Sequence, residues 1–378
     1  MHNIWGKMHN PLDSQNFHDH DKVIPIHSAA NLVIGAQAEA PKQHHNWEYH
    51  SVRSKLKFDA NFTSIENAVR NCGTRPHILK QDGTLADPVI NTLVIGHATF
   101  NKEKTGDLKS ALQAFAKARD VSAHNLVHHE VDKDGFQVFQ LVDYGYRAWH
   151  SGVSAWGKSI GTIVNYNEAG DRTEGKQISI NDNSIGVWLV AKEATLTEYT
   201  PSQIIQAAQL INSLMTTYHI HPLDVAGYHD VTLCRVYDPA KIGLPLSVKL
   251  PWPELIKLTP GLSEINTVLE DNAATPLHTK FTFNTLASDS DDQVKNVQNL
   301  LHEIGYAVEA TGKLDDASKC AIHAFNMHFN QAEFGKEIID DAGWVNTWTD
   351  RAQHIAEDLA ALRHAEPLVE PVHTPDEL

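Results

Sequence analysis

The stretch NTLVIGHATF, residues 91–100, has the pattern of a buried strand. An apolar run that ends in Gly96 and His97 is typical of a strand that delivers a polar residue to the edge of a sheet. Before this point the chain is polar, rich in His and Asn, and only weakly periodic. We therefore predict that a globular domain begins near residue 89, and that residues 1–88 are an extension that wraps it.

Strands and helices alternate after this point. NSIGVWLVA (183–191) reads as a second buried strand, and GFQVFQLVD (135–143) as the second arm of a β-hairpin that begins at HNLVHHEV (124–131). TGDLKSALQAFAKARD (105–120) and TPSQIIQAAQLINSLMTTYHI (200–220) have helical periodicity, the latter with a Thr cap and a Pro at its start. This alternation predicts the α/β class for residues 89–260.

The remaining segments are read from composition. Residues 156–180 are rich in Gly and Asn and are predicted to form a long loop. Residues 261–289 are polar and are interpreted as a linker. From residue 290 to 366 apolar residues return at helical spacing, with a first helix that ends at Gly305, so a small all-α domain is expected there, followed by a frayed tail at 367–378.

The bulk composition excludes several classes of function. The formal net charge is −16, and no basic patch is visible, so a nucleic-acid partner is not expected. The sequence contains no run of about 18 apolar residues, so a transmembrane helix is not expected. The 3 cysteines, Cys72, Cys234 and Cys320, are far apart, so neither a disulfide framework nor a thiolate zinc site is predicted.

The position of two histidines and one aspartate suggests a metal site. His97 and His229 each end a predicted strand, and Asp238 follows in the next loop. Two imidazoles and a carboxylate at one edge of a sheet suit zinc, with the fourth position left for water. The alternative for any one of them is a hydrogen-bonded surface residue at the end of a strand.

Seven motifs in a fixed order resemble a known family. They are VIGHAT (94–99), SAHNLV (122–127), DKDGFQVFQLV (132–142), RAWHSGVSAW (147–156), NDNSIGVWLV (181–190), VAGYHDVTLCRVYDP (225–239) and LPWPEL (250–255). They resemble the type-2 zinc-dependent N-acetylmuramoyl-L-alanine amidases, which are related to the peptidoglycan recognition proteins. Residues 297–330 look like the three-helix peptidoglycan-binding module that follows the catalytic domain in one branch of that family.

The resemblance implies a fold and a site. The fold would be a central mixed β-sheet flanked by helices, with the small all-α domain after it. His97, His229 and Asp238 would bind Zn²⁺, and Trp149 and His150 would line the substrate groove. His124 is a further candidate for substrate contact. Trp149 has the equally open alternative of a core residue.

Two positions depart from the bacterial enzymes. Trp188 stands where those enzymes carry a Glu, and Val236 stands where they carry a Lys. Trp188 could stack on a sugar, block the groove or fill the core, and it cannot accept a proton. Arg235, Glu130 and the neighbouring His128 and His129 are the substitutes that we consider for the catalytic role, and a surface position is the alternative for Arg235.

Three functions remain open from the sequence. The first is zinc-dependent hydrolysis of the amide between N-acetylmuramic acid and L-alanine, with peptidoglycan or muropeptides as the partner. The second is a catalytically impaired protein that binds peptidoglycan, and the third is a secreted effector that acts on another amide. A periplasmic or secreted location is expected, with the cytoplasm as the alternative, and the oligomeric state is left open.

Overall fold

The computed structural model of the protein describes twelve parts of the chain. They are residues 27–28, 50–51, 72–98, 121–129, 137–157, 160–166, 172–190, 199–233, 250–275, 279–282, 291–330 and 347–365. The predicted helix at 105–120 lies outside the described residues, as do Asp238, Arg235 and Glu130.

The strands and helices of these parts are numbered in chain order. The strands are β1 (His27–Ser28), β2 (His50–Ser51), β3 (Cys72–Thr74), β4 (His77–Leu79), β5 (Leu85–Ala86), β6 (Thr92–Ala98), β7 (Asn125–His128), β8 (Val138–Gln140), β9 (Tyr146–Ala148), β10 (Thr162–Tyr166), β11 (Arg172–Lys176), β12 (Ser184–Val190), β13 (Val225–Gly227), β14 (Thr279–Thr282) and β15 (Thr347–Thr349). The α-helices are α1 (Pro201–Tyr218), α2 (Tyr228–Val231), α3 (Trp252–Leu258), α4 (Ser263–Asp271), α5 (Asp291–Ile304), α6 (Asp316–Phe329) and α7 (Asp350–His364).

Among the described residues, the central sheet has seven strands in the order β13-β6-β12-β7-β8-β1-β2. The first four of these strands are parallel to one another, and β8, β1 and β2 are antiparallel to their neighbours. Helix α1 packs against β7 and α3. The predicted α/β class, with a central mixed sheet flanked by helices, is confirmed.

Periodicity identified the central elements because their apolar runs are unbroken. Every residue of β12 is buried, as expected for a parallel strand covered on both faces. Helix α1 begins after Thr200, whose side chain accepts a hydrogen bond from the Gln203 backbone N–H, and Pro201 occupies its first turn. The predicted β-hairpin is confirmed as the antiparallel pair β7 and β8.

The segment predicted to be a long loop contains a β-hairpin instead. Strands β10 and β11 pair in an antiparallel four-stranded sheet with β4 and β5. The prediction was wrong because every residue of β11 is exposed, so its sequence RTEGK carries no alternation of apolar and polar residues.

The predicted helices after residue 290 are present. Helix α5 ends before Gly305, and helices α6 and α7 follow. Gly305 has a φ of 139°, which glycine adopts readily and which is strained for other residues. We refer to residues 291–330 and 347–365 together as the helical unit. The stretch interpreted as a linker, residues 261–289, contains helix α4 and strand β14, and β14 pairs with β15 of the helical unit.

One buried hydrophobic cluster connects the sheet and the helical unit. It includes Leu93 and Val187 of the sheet together with Phe325 and Leu359 of the helical unit. The sheet and the helices therefore share a core rather than packing as separate bodies.

The cysteines differ from the expectation that no disulfide is present. Cys320, in α6, is disulfide-bonded, whereas Cys72 keeps its thiol. Wide spacing along the sequence does not prevent two cysteines from meeting in the fold. None of the helices in the described ranges has the length and hydropathy needed to cross a membrane.

Candidate functional site

The ends of the parallel strands bring two predicted metal ligands to one edge of the sheet. His97 is the penultimate residue of β6, and His229 lies in α2, directly after β13. β13 and β6 are adjacent and parallel, with Gly227 paired to Ile95. Both imidazoles therefore lie at the carboxyl edge of the sheet, where α/β proteins place their ligands.

His97 has one satisfied and one unsatisfied ring nitrogen. Its Nδ1 lies 2.5 Å from the hydroxyl oxygen of Tyr199. Its Nε2 is buried and has no hydrogen-bond partner among the described residues. Burial, and to a lesser extent the charge of His229, lowers the pKa of His97 to about 4. The ring is therefore neutral at pH 7, with a nitrogen that needs a partner such as a metal ion.

His229 is kept neutral by the same effect. Burial lowers its pKa, and the charge of Asp230 opposes that shift. The charge that His229 would carry when protonated in turn lowers the pKa of both His97 and His323. Neutral imidazoles are the form that binds metals.

The third predicted ligand, Asp238, lies outside the described residues. No group of three or more His, Cys, Asp or Glu side chains within the described ranges is placed to hold a metal ion. The described residues thus supply two neutral imidazoles, one with an unsatisfied Nε2. This donor set fits a zinc ion whose coordination a carboxylate would complete.

Tyr199 was not identified from the sequence, and it is the residue that supports His97. We expect Tyr199→Phe to weaken zinc binding by about 10- to 100-fold, because a hydrogen bond to the second ring nitrogen fixes the tautomer and orientation of a ligating imidazole. Zinc affinity is measured by competition with a chromogenic chelator. Tyr166→Phe, at an exposed position of β10, is the matched control. Equal affinities in both variants would contradict the assignment.

His124 is completely buried and links neighbouring strands. Its Nδ1 accepts a hydrogen bond from the Gly186 backbone N–H at 3.0 Å, and its Nε2 lies 3.0 Å from the Tyr146 carbonyl oxygen. Arg75 lies 3.2 Å from the same Nε2 and donates to the backbone carbonyls of Asp182 and Ser184. Arg75 belongs to the predicted extension, so this segment reaches into the core, and a substrate contact by His124 stays a prediction.

His150 lies beside His124, with 5.4 Å between the ring centroids. Its Nε2 is 2.8 Å from the Ser184 hydroxyl. The ring packs directly against Gly186, because a Cβ atom added at Gly186 would lie only 2.5 Å from the Cγ of the His150 ring. Gly186 is therefore required for this packing. His150 is 3% exposed, so its proposed contact with substrate also stays a prediction.

The burial of His150 predicts a loss of stability in acid. Burial, and then the charge of Arg75, lowers its pKa from 6.5 to about 3. Between about pH 3 and pH 6.5 the unfolded chain binds a proton at this imidazole and the folded chain does not. Protons therefore favour the unfolded state in this range, and above pH 6.5 this group no longer reduces the free energy of unfolding. We expect the free energy of unfolding to fall by up to about 1.4 kcal/mol per pH unit through this group as the pH decreases toward about 3.

Urea unfolding between pH 3 and pH 7 measures this dependence. The variant His150→Gln cannot take up the proton, so its free energy of unfolding should depend less steeply on pH. The same slope in both proteins would show that His150 does not titrate in this way.

Trp188 lies on the opposite face of the sheet from His97. Trp188 pairs with Gly96, and Leu189 pairs with His97, in the parallel register of β12 and β6. Successive side chains of a strand alternate between faces, so Trp188 and His97 point in opposite directions. A Cβ at Gly96 would lie 2.8 Å from the indole, which therefore covers Gly96, and the side chain is 1% exposed. Its contact with a substrate stays a prediction.

Trp149 is half-buried at the end of β9. The guanidinium carbon of Arg147 lies 4.2 Å from the centroid of its ring, and Arg147 forms an ion pair of 2.6 Å with Asp182. The cation–π contact holds the indole in place. Of the proposed substrate-contact residues, Trp149 is the one that is partly exposed, whereas His124, His150 and Trp188 are buried.

Comparison with known proteins gives one family and several relatives. Residues 86–241 match the family model described as N-acetylmuramoyl-L-alanine amidase. The chain is 25% identical over 272 residues to the N-acetylmuramoyl-L-alanine amidase AmiD of Escherichia coli, a match that covers 68% of this chain and 81% of AmiD.

Two solved structures are similar to parts of the chain. One is the complex of Escherichia coli AmiD with anhydro-N-acetylmuramic acid-L-Ala-D-γ-Glu-L-Lys, at 24% identity and a TM-score of 0.44, covering 75% of this chain and 97% of that one. The other is a derivative of AmpD, at 21% identity and a TM-score of 0.29, covering 50% of this chain and 92% of that one.

Proposed function

We infer, from the premise that residues 86–241 form a domain of the N-acetylmuramoyl-L-alanine amidase family, that this protein hydrolyses the amide bond between N-acetylmuramic acid and L-alanine in peptidoglycan. The observation that carries the proposal is that the matched segment contains the buried His97 and the half-buried His229, two neutral imidazoles at the carboxyl edge of the sheet. This is the donor type and the place that a hydrolytic metal site requires.

His97, His229 and Asp238 are the residues that would hold zinc. When bound, zinc supplies a water whose pKa is lowered to about 7, and it polarises the carbonyl of the amide. The protein's own residues have two roles: burial keeps both imidazoles unprotonated, and the Tyr199 hydroxyl holds the His97 ring. Neither task needs the helical unit to bind glycan, although peptidoglycan binding by that unit remains part of the proposal.

The group that carries the proton to the leaving amine remains a choice between Glu130 and Arg235. Glu130 is the one of the two that can accept a proton, and Arg235 would instead stabilise a developing negative charge. Trp188 has no basic atom and lies on the face opposite His97. Trp149, His150 and His124 are kept as proposed substrate contacts.

The disulfide at Cys320 supports a location outside the cytoplasm. Disulfides form and persist in the periplasm and in secreted proteins, whereas cytosolic thiols are kept reduced. A periplasmic or secreted amidase would also meet its peptidoglycan substrate there. The cytoplasm, where muropeptide fragments would be the substrate, is the alternative.

A second candidate function is binding of peptidoglycan without turnover. The observation that favours it is that the position where the resemblance implies a catalytic Glu holds Trp188, an indole that is 1% exposed and lies on the face opposite His97, so this position supplies no proton carrier. Such a protein would retain the groove and lose the proton transfer, which is worth about 10² to 10⁴-fold in rate.

Digestion of sacculi distinguishes the two candidates. Purified protein is loaded with zinc, its metal content is measured, and sacculi are incubated with it and analysed by mass spectrometry. An amidase releases peptides with a free N-terminal L-alanine, and the protein contains about one zinc per chain. Sedimentation with sacculi without release of peptides would favour the binding protein. Release of sugars with peptides still attached would contradict both.

A further inference from the structure

The carboxylate next to His229 is held by residues of the helical unit. Asp230 is 1% exposed, and its Oδ2 accepts a hydrogen bond from the Gly227 backbone N–H at 2.6 Å. The Tyr306 hydroxyl donates to Oδ1 at 2.9 Å, and the Nδ1 of His328 lies 2.8 Å from Oδ2. Tyr306 follows α5 and His328 belongs to α6, so both side-chain partners come from the helical unit.

Both partners of Asp230 are themselves fixed. The His328 ring stacks on Trp252 with 3.7 Å between centroids and on Phe329 with 3.9 Å. Tyr306 is buried against Trp156 in an edge contact of 4.8 Å. Burial, and then the charge of Asp230, raises the pKa of Tyr306 well above its usual range, so its hydroxyl keeps the proton that it donates.

The helix that carries His229 cannot hold its own position. Helix α2 has 4 residues, which is far below the length at which an isolated helix is stable. Its first turn is tied to β13 through the bond between Asp230 and Gly227. A buried carboxylate that loses its donors is costly, so Asp230 and the helix around it would shift to find other partners.

Further contacts fix the helical unit to this end of the sheet. Arg363 of α7 forms an ion pair of 2.8 Å with Asp224, which precedes β13, and also donates to the carbonyl of Ile304. The Gly157 backbone N–H donates to the Gly305 carbonyl at 2.8 Å. The partners of Asp230 are therefore carried on a unit that is docked at several points.

We propose that the helical unit is a positioning part of the metal site, in which Tyr306 and His328 hold Asp230 so that the adjacent His229 stays in place at the edge of the sheet that also carries His97. This inference rests on the proposed function, because it assumes that His229 binds zinc. It gives the helical unit a task in the site itself, in addition to any binding of glycan. Tyr306 and His328 act through Asp230 and are positioning residues.

The test uses the full chain and zinc alone, measured by chelator competition, together with the visible spectrum of the cobalt-substituted protein. Tyr306→Phe deletes one oxygen, and His328→Leu removes the ring nitrogen that faces Asp230. We expect each to weaken zinc binding by about 10- to 100-fold and to change the cobalt spectrum. His328→Asn, whose amide can replace Nδ1 as a donor, should recover most of the affinity.

The control separates positioning from loss of stability. Gln298 hydrogen-bonds within the helical unit, to the Lys313 carbonyl, the Ser318 hydroxyl and the Gly312 N–H. Gln298→Ala should lower the unfolding temperature and leave zinc affinity and the cobalt spectrum unchanged. Tyr306→Phe, the smaller change, decides the result if His328→Leu does not fold.

Two outcomes would overturn the inference, and only one of them would also contradict the proposed zinc-dependent function. If the wild-type protein binds zinc and Tyr306→Phe binds it within about twofold of the same affinity, the positioning role is wrong and the proposed function stands. If the wild-type protein retains no zinc, both this inference and the zinc-dependent function fail.

Discussion

Trp188→Glu is expected to destabilise the protein by at least about 3 to 5 kcal/mol and to leave turnover no higher than in the wild type. The loss of an enclosed indole accounts for that cost, and a carboxylate at a position that is 1% exposed adds the cost of burying a charge. Although the resemblance implies a Glu at this position, the register places residue 188 on the face opposite His97. A carboxylate at this position would therefore not reach a water held near His97.

The measurements for this variant are urea unfolding and the rate of peptide release from muropeptides. Trp188→Phe is the matched control, because it keeps an aromatic ring over Gly96 and should cost less stability than the Glu variant. A folded Trp188→Glu protein with clearly raised turnover would show that residue 188 faces the reacting bond, and that the wild type lacks a proton carrier.

His229→Ala is expected to weaken zinc binding by more than about 100-fold, because removal of a residue that merely supports a ligand already costs about 10- to 100-fold. Turnover should fall with the zinc content. Zinc is measured by mass spectrometry after dialysis against a weak chelator. His354→Ala, at an exposed position of α7, is the control and should retain the metal.

Two results would separate the possible errors in this assignment. Unchanged zinc content in His229→Ala would remove His229 from the ligand set. Loss of zinc in His97→Ala, with zinc retained in His229→Ala, would leave His97 as a ligand and point to another partner at the same edge of the sheet.

The elements that could be predicted from the sequence have patterns that depend on local burial. Strands β6 and β12 are parallel and covered on both faces, so their sequences contain apolar runs. Helix α1 has a Thr cap, a Pro in its first turn and a regular apolar stripe. Gly305 marks the end of α5 because a positive φ is required there.

The features that could not be predicted depend on contacts between distant segments. Strand β11 is exposed along its whole length, so its pairing with β10 has no hydrophobic signal. The hydrogen bonds from Tyr306 and from His328 to Asp230 join residues that are separated in the sequence by 76 and by 98 positions, respectively. The alternation of side chains along β12 does not show which face Trp188 shares with other strands, so the register between β12 and β6 was needed to place it opposite His97.

The docking of Asp230 limits how this protein can be divided. A gene fragment that ends near residue 260 would encode the whole segment that matches the amidase family, residues 86–241. It would also leave the Asp230 carboxylate without the phenol and the imidazole that enclose it. Recombination that exchanged the C-terminal helices for those of another protein would have to supply both donors again if Asp230 is to keep its partners.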